Sequence, residues 1–111
     1  MINDGCRMDW GQEAQDRLNA IAECSLDGPG VTRFPFTPEH AAAATIIEGW
    51  MARAGLETRR DAAGTLIGQT GPADAPAFLI GSHQDSVRGG GRYDGIMGVA
   101  LACLALEALK A

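Results

Sequence analysis

Lysine is almost missing from these 111 residues, Lys110 being the only one, and the formal net charge is -5 with a pI near 4.8. A phosphate backbone is held by clustered cations that release its counterions, so this balance argues against nucleic acid as a partner. Cysteine is scarce and badly spaced for a framework. Cys6, Cys24 and Cys103 are odd in number and far apart, which excludes a full set of disulfides and any Cys-x-x-Cys metal site. Reduced thiols and a cytoplasmic setting are the expectation. The first seven residues hold Asn3, Asp4 and Gly5 where a secretory leader would carry its apolar centre. Ile96 to Ala108, the most apolar run, is shorter than the roughly 18 to 20 residues that cross a bilayer, so no membrane span is expected. A Gly-Lys-Ser/Thr triplet is lacking too, and no Gly-x-Gly-x-x-Gly can be completed because Asp94 stands three after Gly91. A phosphate-binding βα module is therefore the weaker alternative, since a carboxylate at that place repels phosphate.

What is present suits folding. Hydrophobic residues make up 46% and charged residues 21%, within the globular range. The length allows one domain and no separate lid. Asp9 is placed to cap a helix running to about Glu23, with Trp10, Ala14, Leu18, Ile21 and Ala22 on one face. Gly28, Pro29, Gly30 and Pro35 punctuate the stretch from Ser25 to Phe36 into a loop. Thr37 followed by Pro38 starts a second helix, carried by Ile46, Ile47, Trp50 and Met51 to Ala54 and stopped by Gly55. Leu56 to Asp61 and Thr65 to Gln69 flank Ala62-Ala63-Gly64 as a hairpin. Ala77 to Ser82 is apolar on both alternating faces, as a strand covered on both sides is, and a glycine-rich loop and a last helix from Ile96 to Leu109 follow. The order helix, helix, hairpin, buried strand, loop, helix is an α/β layer architecture.

In such folds ligands gather beyond the carboxyl ends of strands. There the chain reads Gly81-Ser82-His83-Gln84-Asp85-Ser86-Val87, and nine residues after Asp85 comes Asp94 at the turn into the last helix. His83 and Asp85 are two apart, so in extended backbone their side chains leave on one side, where a carboxylate can orient an imidazole. Taken singly, each has a plainer reading. Asp94 is placed to cap the helix, His83 to be a hydrogen-bonded histidine at a strand end, and Asp85 and Ser86 to turn the chain. Their concentration points to a metal site, since one of two histidines and two of eight aspartates meet there. The other histidine, His40, sits among alanines at a helix start and is assigned no ligand role.

The run from Gly81 to Val87, with Gly89-Gly90 and Tyr93-Asp94-Gly95-Ile96-Met97-Gly98-Val99, resembles the metal-binding signature of N-carbamoyl-L-amino acid hydrolases, β-ureidopropionases and allantoate amidohydrolases. These belong to the aminoacylase and carboxypeptidase superfamily. The resemblance extends over Gly30-Val31-Thr32-Arg33, Thr37 to Gly55 and Asp61 to Gly68. It implies the N-terminal portion of a three-layer α/β/α metallohydrolase catalytic domain over residues 1–111. It also implies two divalent ions, zinc or manganese, with His83 a ligand of one, Asp94 bridging both, and Asp85 supporting His83. Tyr93-Asp94-Gly95 is similar to the carbamoylase branch, whereas peptidase relatives read Asp-x-Lys around this aspartate, so ureido and linear amide bonds are the implied targets rather than peptides. The substrate implied is a small molecule carrying a carboxylate and a ureido or amide group. The Glu-Glu pair that supplies the general base in that family is lacking, as are its later histidines and its lid and dimerisation domain. Glu107 has no acidic neighbour and is not promoted to the base. The chain alone is accordingly expected to bind metal weakly or not at all, to be inactive and, because its last helix is apolar nearly all round, to self-associate as a homo-oligomer. A non-catalytic assembly module with this ancestry is the alternative.

Overall fold

A computed structural model of the protein describes residues 7–110. The Asp9 carboxylate accepts the Gln12 N–H at 3.0 Å and opens α1, Trp10–Ala22. Thr37 does the same for α2, Pro38–Arg53, taking the His40 N–H at 3.3 Å, and Pro38 costs nothing in a first turn whose N–H groups have no helical partner. Gly55, at φ 80°, ends that helix in the left-handed region. Strands β1, Glu57–Arg60, and β2, Leu66–Gln69, pair antiparallel with Glu57 opposite Gln69 and Arg60 opposite Leu66. The Asp61 carboxylate holds the turn between them by accepting from the amides of Ala63 and Thr65, both at 2.9 Å. Helix α3 spans Ile96–Lys110.

The core is a three-helix contact. Leu18 and Ile21 of α1, Ala43, Ile47 and Trp50 of α2, and Ile96, Ala100 and Cys103 of α3 bury one another, and the hairpin lies against α2. Ala43 and Ala100 are fully buried, and their small side chains let backbones approach. Burial pushes the Cys103 and Cys24 thiols up from their ordinary range, which keeps them protonated and inert. Among the described residues no helix is long and apolar enough to cross a membrane.

A cation lies inside this contact. Arg17, 4% exposed, is bridged to Glu13 one turn earlier and to Glu107 of α3, both at 2.8 Å, with its guanidinium 5.9 Å from the centre of the Trp50 ring. Burial pulls its pKa down, but the hydrogen bonds it donates to Glu107 and then to Glu13 outweigh that, so the net shift is upward. One side chain thereby fastens all three helices.

One expectation needs correction. Ala77 to Ser82 is not a buried strand: it has no regular structure and no strand partner among the described residues, with Phe78 89% and Leu79 88% exposed. Its apolar character asks for cover on both faces, and a strand also needs edge partners, but the only sheet among the described residues is the β1–β2 hairpin, which lies against α2. Helix α3 is likewise buried along one face only, through Ile96, Ala100, Cys103 and Leu104, while Met97, Leu101 and Leu109 meet solvent. The architecture is a mixed α/β one with a small sheet.

Replacing Glu107 by alanine leaves Arg17 buried with one carboxylate instead of two. We expect a loss of about 2 to 4 kcal/mol in urea unfolding, against less than about 1 kcal/mol for Glu48→Ala, which removes an exposed pair with Arg60.

Candidate metal centre

The segment from Ser82 to Gly90 is positioned by a neighbouring loop rather than by a sheet. Val31 and Gly90 exchange both backbone hydrogen bonds, at 2.9 and 2.8 Å. The Ser86 amide donates to the Arg33 carbonyl at 2.9 Å, the Ser86 hydroxyl accepts the Arg33 amide at 2.9 Å, and that hydroxyl lies 2.8 Å from the Val31 carbonyl it donates to. Gly89 is held by the Thr32 hydroxyl at 2.8 Å.

Beneath these bonds lies Arg33, 2% exposed. Its guanidinium donates to the carbonyls of Ile21 at 3.1 Å and Cys24 at 2.9 Å, where α1 ends, and its Nε donates to the Gln84 carbonyl at 3.0 Å. A helix C-terminus carries partial negative charge, so the cation is matched to its place. Burial lowers its pKa, countered in part by Cys24 and Asp85, but a guanidinium remains charged at any physiological pH. Asp85 thus stands between two residues, Gln84 and Ser86, that Arg33 holds directly.

The structure brings His83, Asp85 and Asp94 together. His83 Nδ1 lies 3.0 Å from the Asp85 carbonyl oxygen and 3.3 Å from its carboxylate Oδ1. A carbonyl only accepts, so Nδ1 carries the proton and the lone pair of a neutral ring is on Nε2. That atom faces Asp94 Oδ1 at 3.9 Å. The Asp94 carboxylate accepts no hydrogen bond from the first turn of α3 among the described residues, so it is not engaged as a cap. All three side chains are open to solvent, Asp94 most at 72% exposed.

A divalent ion bound to imidazole nitrogen and carboxylate oxygen sits about 2.0 to 2.2 Å from each. The 3.9 Å gap is shorter than the sum of two such bonds but wider than the roughly 3.4 Å that a tetrahedral ion sets between its ligand atoms, so a shared cation requires the two side chains to close by about half an ångström. They fit only part of a site. Among the described residues no group of three or more His, Cys, Asp or Glu side chains is arranged to hold a metal. His40 stays apart, its ring tilted on Phe36 at 6.0 Å and its carbonyl accepting from Gln84. Glu107 is bound to Arg17 and unavailable as a base.

The sequence reading gave Arg33 and Ser86 no role in the site. Ser86 was legible only as a turn former, and an arginine between Thr32 and Phe34 follows no helical or strand period, so nothing local marks it as buried.

No protein-family model matches the chain. It is 43% identical over 101 residues to the N-carbamoyl-L-amino-acid amidohydrolase of Paenarthrobacter aurescens, covering 89% of this chain and 24% of that protein. It is 44% identical over 88 residues to the allantoate amidohydrolase of Bacillus subtilis, covering 78% and 21%. A crystal structure of AtUAH in complex with glyoxylate superimposes with a TM-score of 0.83 at 32% identity, over 94% of this chain and 25% of that one. An amidase of the hydantoinase/carbamoylase family from Burkholderia phymatum gives 0.80 at 34%, over 93% and 25%.

Two predictions follow from the geometry. Ser86→Ala removes the hydroxyl that links Arg33 to Val31 and should cost about 1 to 2 kcal/mol, with faster hydrogen exchange at the Arg33 amide. Burial depresses the His40 pKa, an effect that Asp85 partly offsets and that Arg33 and Arg60 reinforce. The unfolded chain therefore takes up this proton more readily, and stability should fall as the pH drops through and below the ordinary imidazole range. His40→Gln should flatten that part of a stability-against-pH curve. Over the residues it spans, which amount to about a quarter of their length, the chain is a homologue of the N-carbamoyl-L-amino-acid and allantoate amidohydrolases.

Proposed function

We propose that this chain provides one histidine and one aspartate of a dinuclear metal site that hydrolyses a linear amide or ureido C–N bond in a small carboxylate-bearing substrate, of the N-carbamoyl amino acid, ureidopropionate or allantoate type. The observation that carries the reading is the facing of His83 Nε2 and Asp94 Oδ1 at 3.9 Å, with the far side of the ring held by Asp85, in a homologue of amidohydrolases.

The roles follow from the chemistry of each group. His83 offers a neutral lone pair because Asp85 fixes the ring proton on Nδ1. Asp94 offers a carboxylate whose two oxygens can serve two cations, and its charge at the start of α3 disfavours phosphate there. Two divalent ions, zinc or manganese, would polarise the scissile carbonyl and make a water acidic enough to attack near neutral pH. A general base and further ligands have to come from polypeptide beyond residues 1–111, since Glu107 is paired with Arg17. On this reading the 111 residues alone do not turn over substrate. They form the N-terminal portion of a three-layer α/β/α catalytic domain, working in the cytoplasm, in which Ala77 to Ser82 becomes a sheet strand once further strands flank it.

Joining this chain to the remaining sequence of the Paenarthrobacter aurescens relative tests the whole proposal. The chimaera should hydrolyse an N-carbamoyl amino acid, and His83→Ala or Asp94→Ala should lower kcat/KM by more than about a hundredfold. Retained activity in both variants would sink the assignment.

The bare Phe78, Leu79 and Ile80, exposed 89%, 88% and 51%, favour a second reading, a non-catalytic module that acts by assembly. Both readings predict self-association of the isolated chain, because apolar side chains of this size forfeit roughly 1.5 to 3 kcal/mol each in water. Sedimentation should show a homo-oligomer at micromolar concentration, and a stable monomer would count against it. Zinc uptake by the chimaera through His83 and Asp94 separates the two, being absent from a pure assembly module.

A further inference from the structure

We infer that Gly95 is a positioning residue whose bare α-carbon forms the seat on which the His83 imidazole lies, and that this contact aims Nε2 at Asp94. The inference rests on reading His83 and Asp94 as metal ligands.

Gly95 follows Asp94 directly and has φ 73°, in the left-handed region. A β-carbon built there would stand 2.6 Å from His83 Nε2 and closer still to Cε1 of the same ring. Real β-carbons do not come within 3.0 Å of a non-bonded heavy atom. The obstacle is a rigid aromatic plane, so no flexible tip can bend away to make room. The ring has to swing off as a whole, breaking the 3.0 Å contact of Nδ1 with the Asp85 carbonyl and carrying Nε2 away from Asp94.

One turn further on, Gly98 repeats the device. A β-carbon there would meet the Ser82 β-carbon at 2.7 Å and its hydroxyl at 2.9 Å. Ser82 and His83 thus lie down on the start of α3 through Gly95, just before the helix, and Gly98 in its first turn. The ring is bounded by Asp85 at Nδ1, by Asp94 across from Nε2, and by Gly95 against its atoms. The contacts with Asp85 and Gly95 restrict its two side-chain torsions. An imidazole on an open surface would otherwise sample several rotamers, and a ligand that wanders binds metal weakly.

Backbone strain has to be separated from seating. Gly71 has φ 87° with nothing within 4 Å of its built β-carbon, so Gly71→Ala carries the strain alone. Gly95→Ala carries strain and collision together. The expected results are a lower melting temperature for Gly95→Ala than for Gly71→Ala, and a Gly95→Ala penalty that shrinks to the Gly71→Ala value in a His83→Ala background. Calorimetric zinc titration of the chimaera with the Paenarthrobacter aurescens sequence, which supplies the remaining ligands, should show Gly95→Ala weakening uptake about 10- to 100-fold, with Gly71→Ala unchanged. An equal Gly95→Ala penalty with and without His83 would overturn the seat, as would unchanged zinc affinity. Should Gly95→Ala fail to fold, recovery of folding in the His83→Ala double variant supports the seat, and no recovery overturns it. If His83→Ala in that chimaera takes up zinc as well as the unsubstituted chimaera does, the ligand reading fails, while the thermal cycle still decides the packing.

Discussion

The arrangement of the candidate centre depends on a positive charge held almost wholly out of water. Arg33 keeps its charge and is solvated chiefly by main-chain carbonyls that accept its hydrogen bonds, two where α1 ends and one from Gln84. Backbone acceptors are a demanding choice, because each must be delivered by the course of the chain rather than by a rotatable side chain. In return the guanidinium reports the position of one piece of backbone to another. The end of a helix packed in the core becomes a reference point for residues 84 to 86, and through Asp85 for the imidazole of His83. A solvent-facing site built on irregular chain thereby inherits the rigidity of a helical core.

Arg17 answers the same physical difficulty in a different way. It sits at the junction of all three helices, paired through Nε and Nη2 with two carboxylates and lying over Trp50, while its buried Nη1 has no hydrogen-bond partner. The contrast matters for chemistry. Using Glu107 for this purpose withdraws an acid from reactivity and spends it on holding α1 to α3, whereas Arg33 consumes no carboxylate and leaves Asp85 and Asp94 free to face His83. The division between scaffold charges and site charges is visible in where the acids go.

Helix starts and stops were legible from sequence because caps are local chemistry: Asp9, Thr37-Pro38 and Gly55 each act within a few residues. The hairpin was legible for the same reason, through Asp61 and Gly64. The nearness of His83 and Asp94 was legible too, although the strand on which it was argued is not formed. What brings them together is the start of α3 returning past a segment without regular structure, and glycines permit that without any sheet. The fate of Ala77 to Ser82 was not legible, because hydrophobicity states a demand for cover without saying who supplies it. Arg33 escaped notice for a related reason: long-range burial of a single charge leaves no period in the sequence, and only the fold shows that three carbonyls converge on it.

The uncovered stretch from Ala77 to Ile80 bears on how the molecule behaves in solution. It has no charged residue between Asp74 and His83, and its unpaired N–H and C=O groups form a ready template for another chain. Pro76, which lacks an N–H, bounds the template on one side and keeps it short. Mutual repulsion among molecules of net charge -5 is the remaining restraint. That restraint vanishes toward pH 4.8, so mildly acidic buffers should turn a dispersed solution into a precipitate while the helices remain intact.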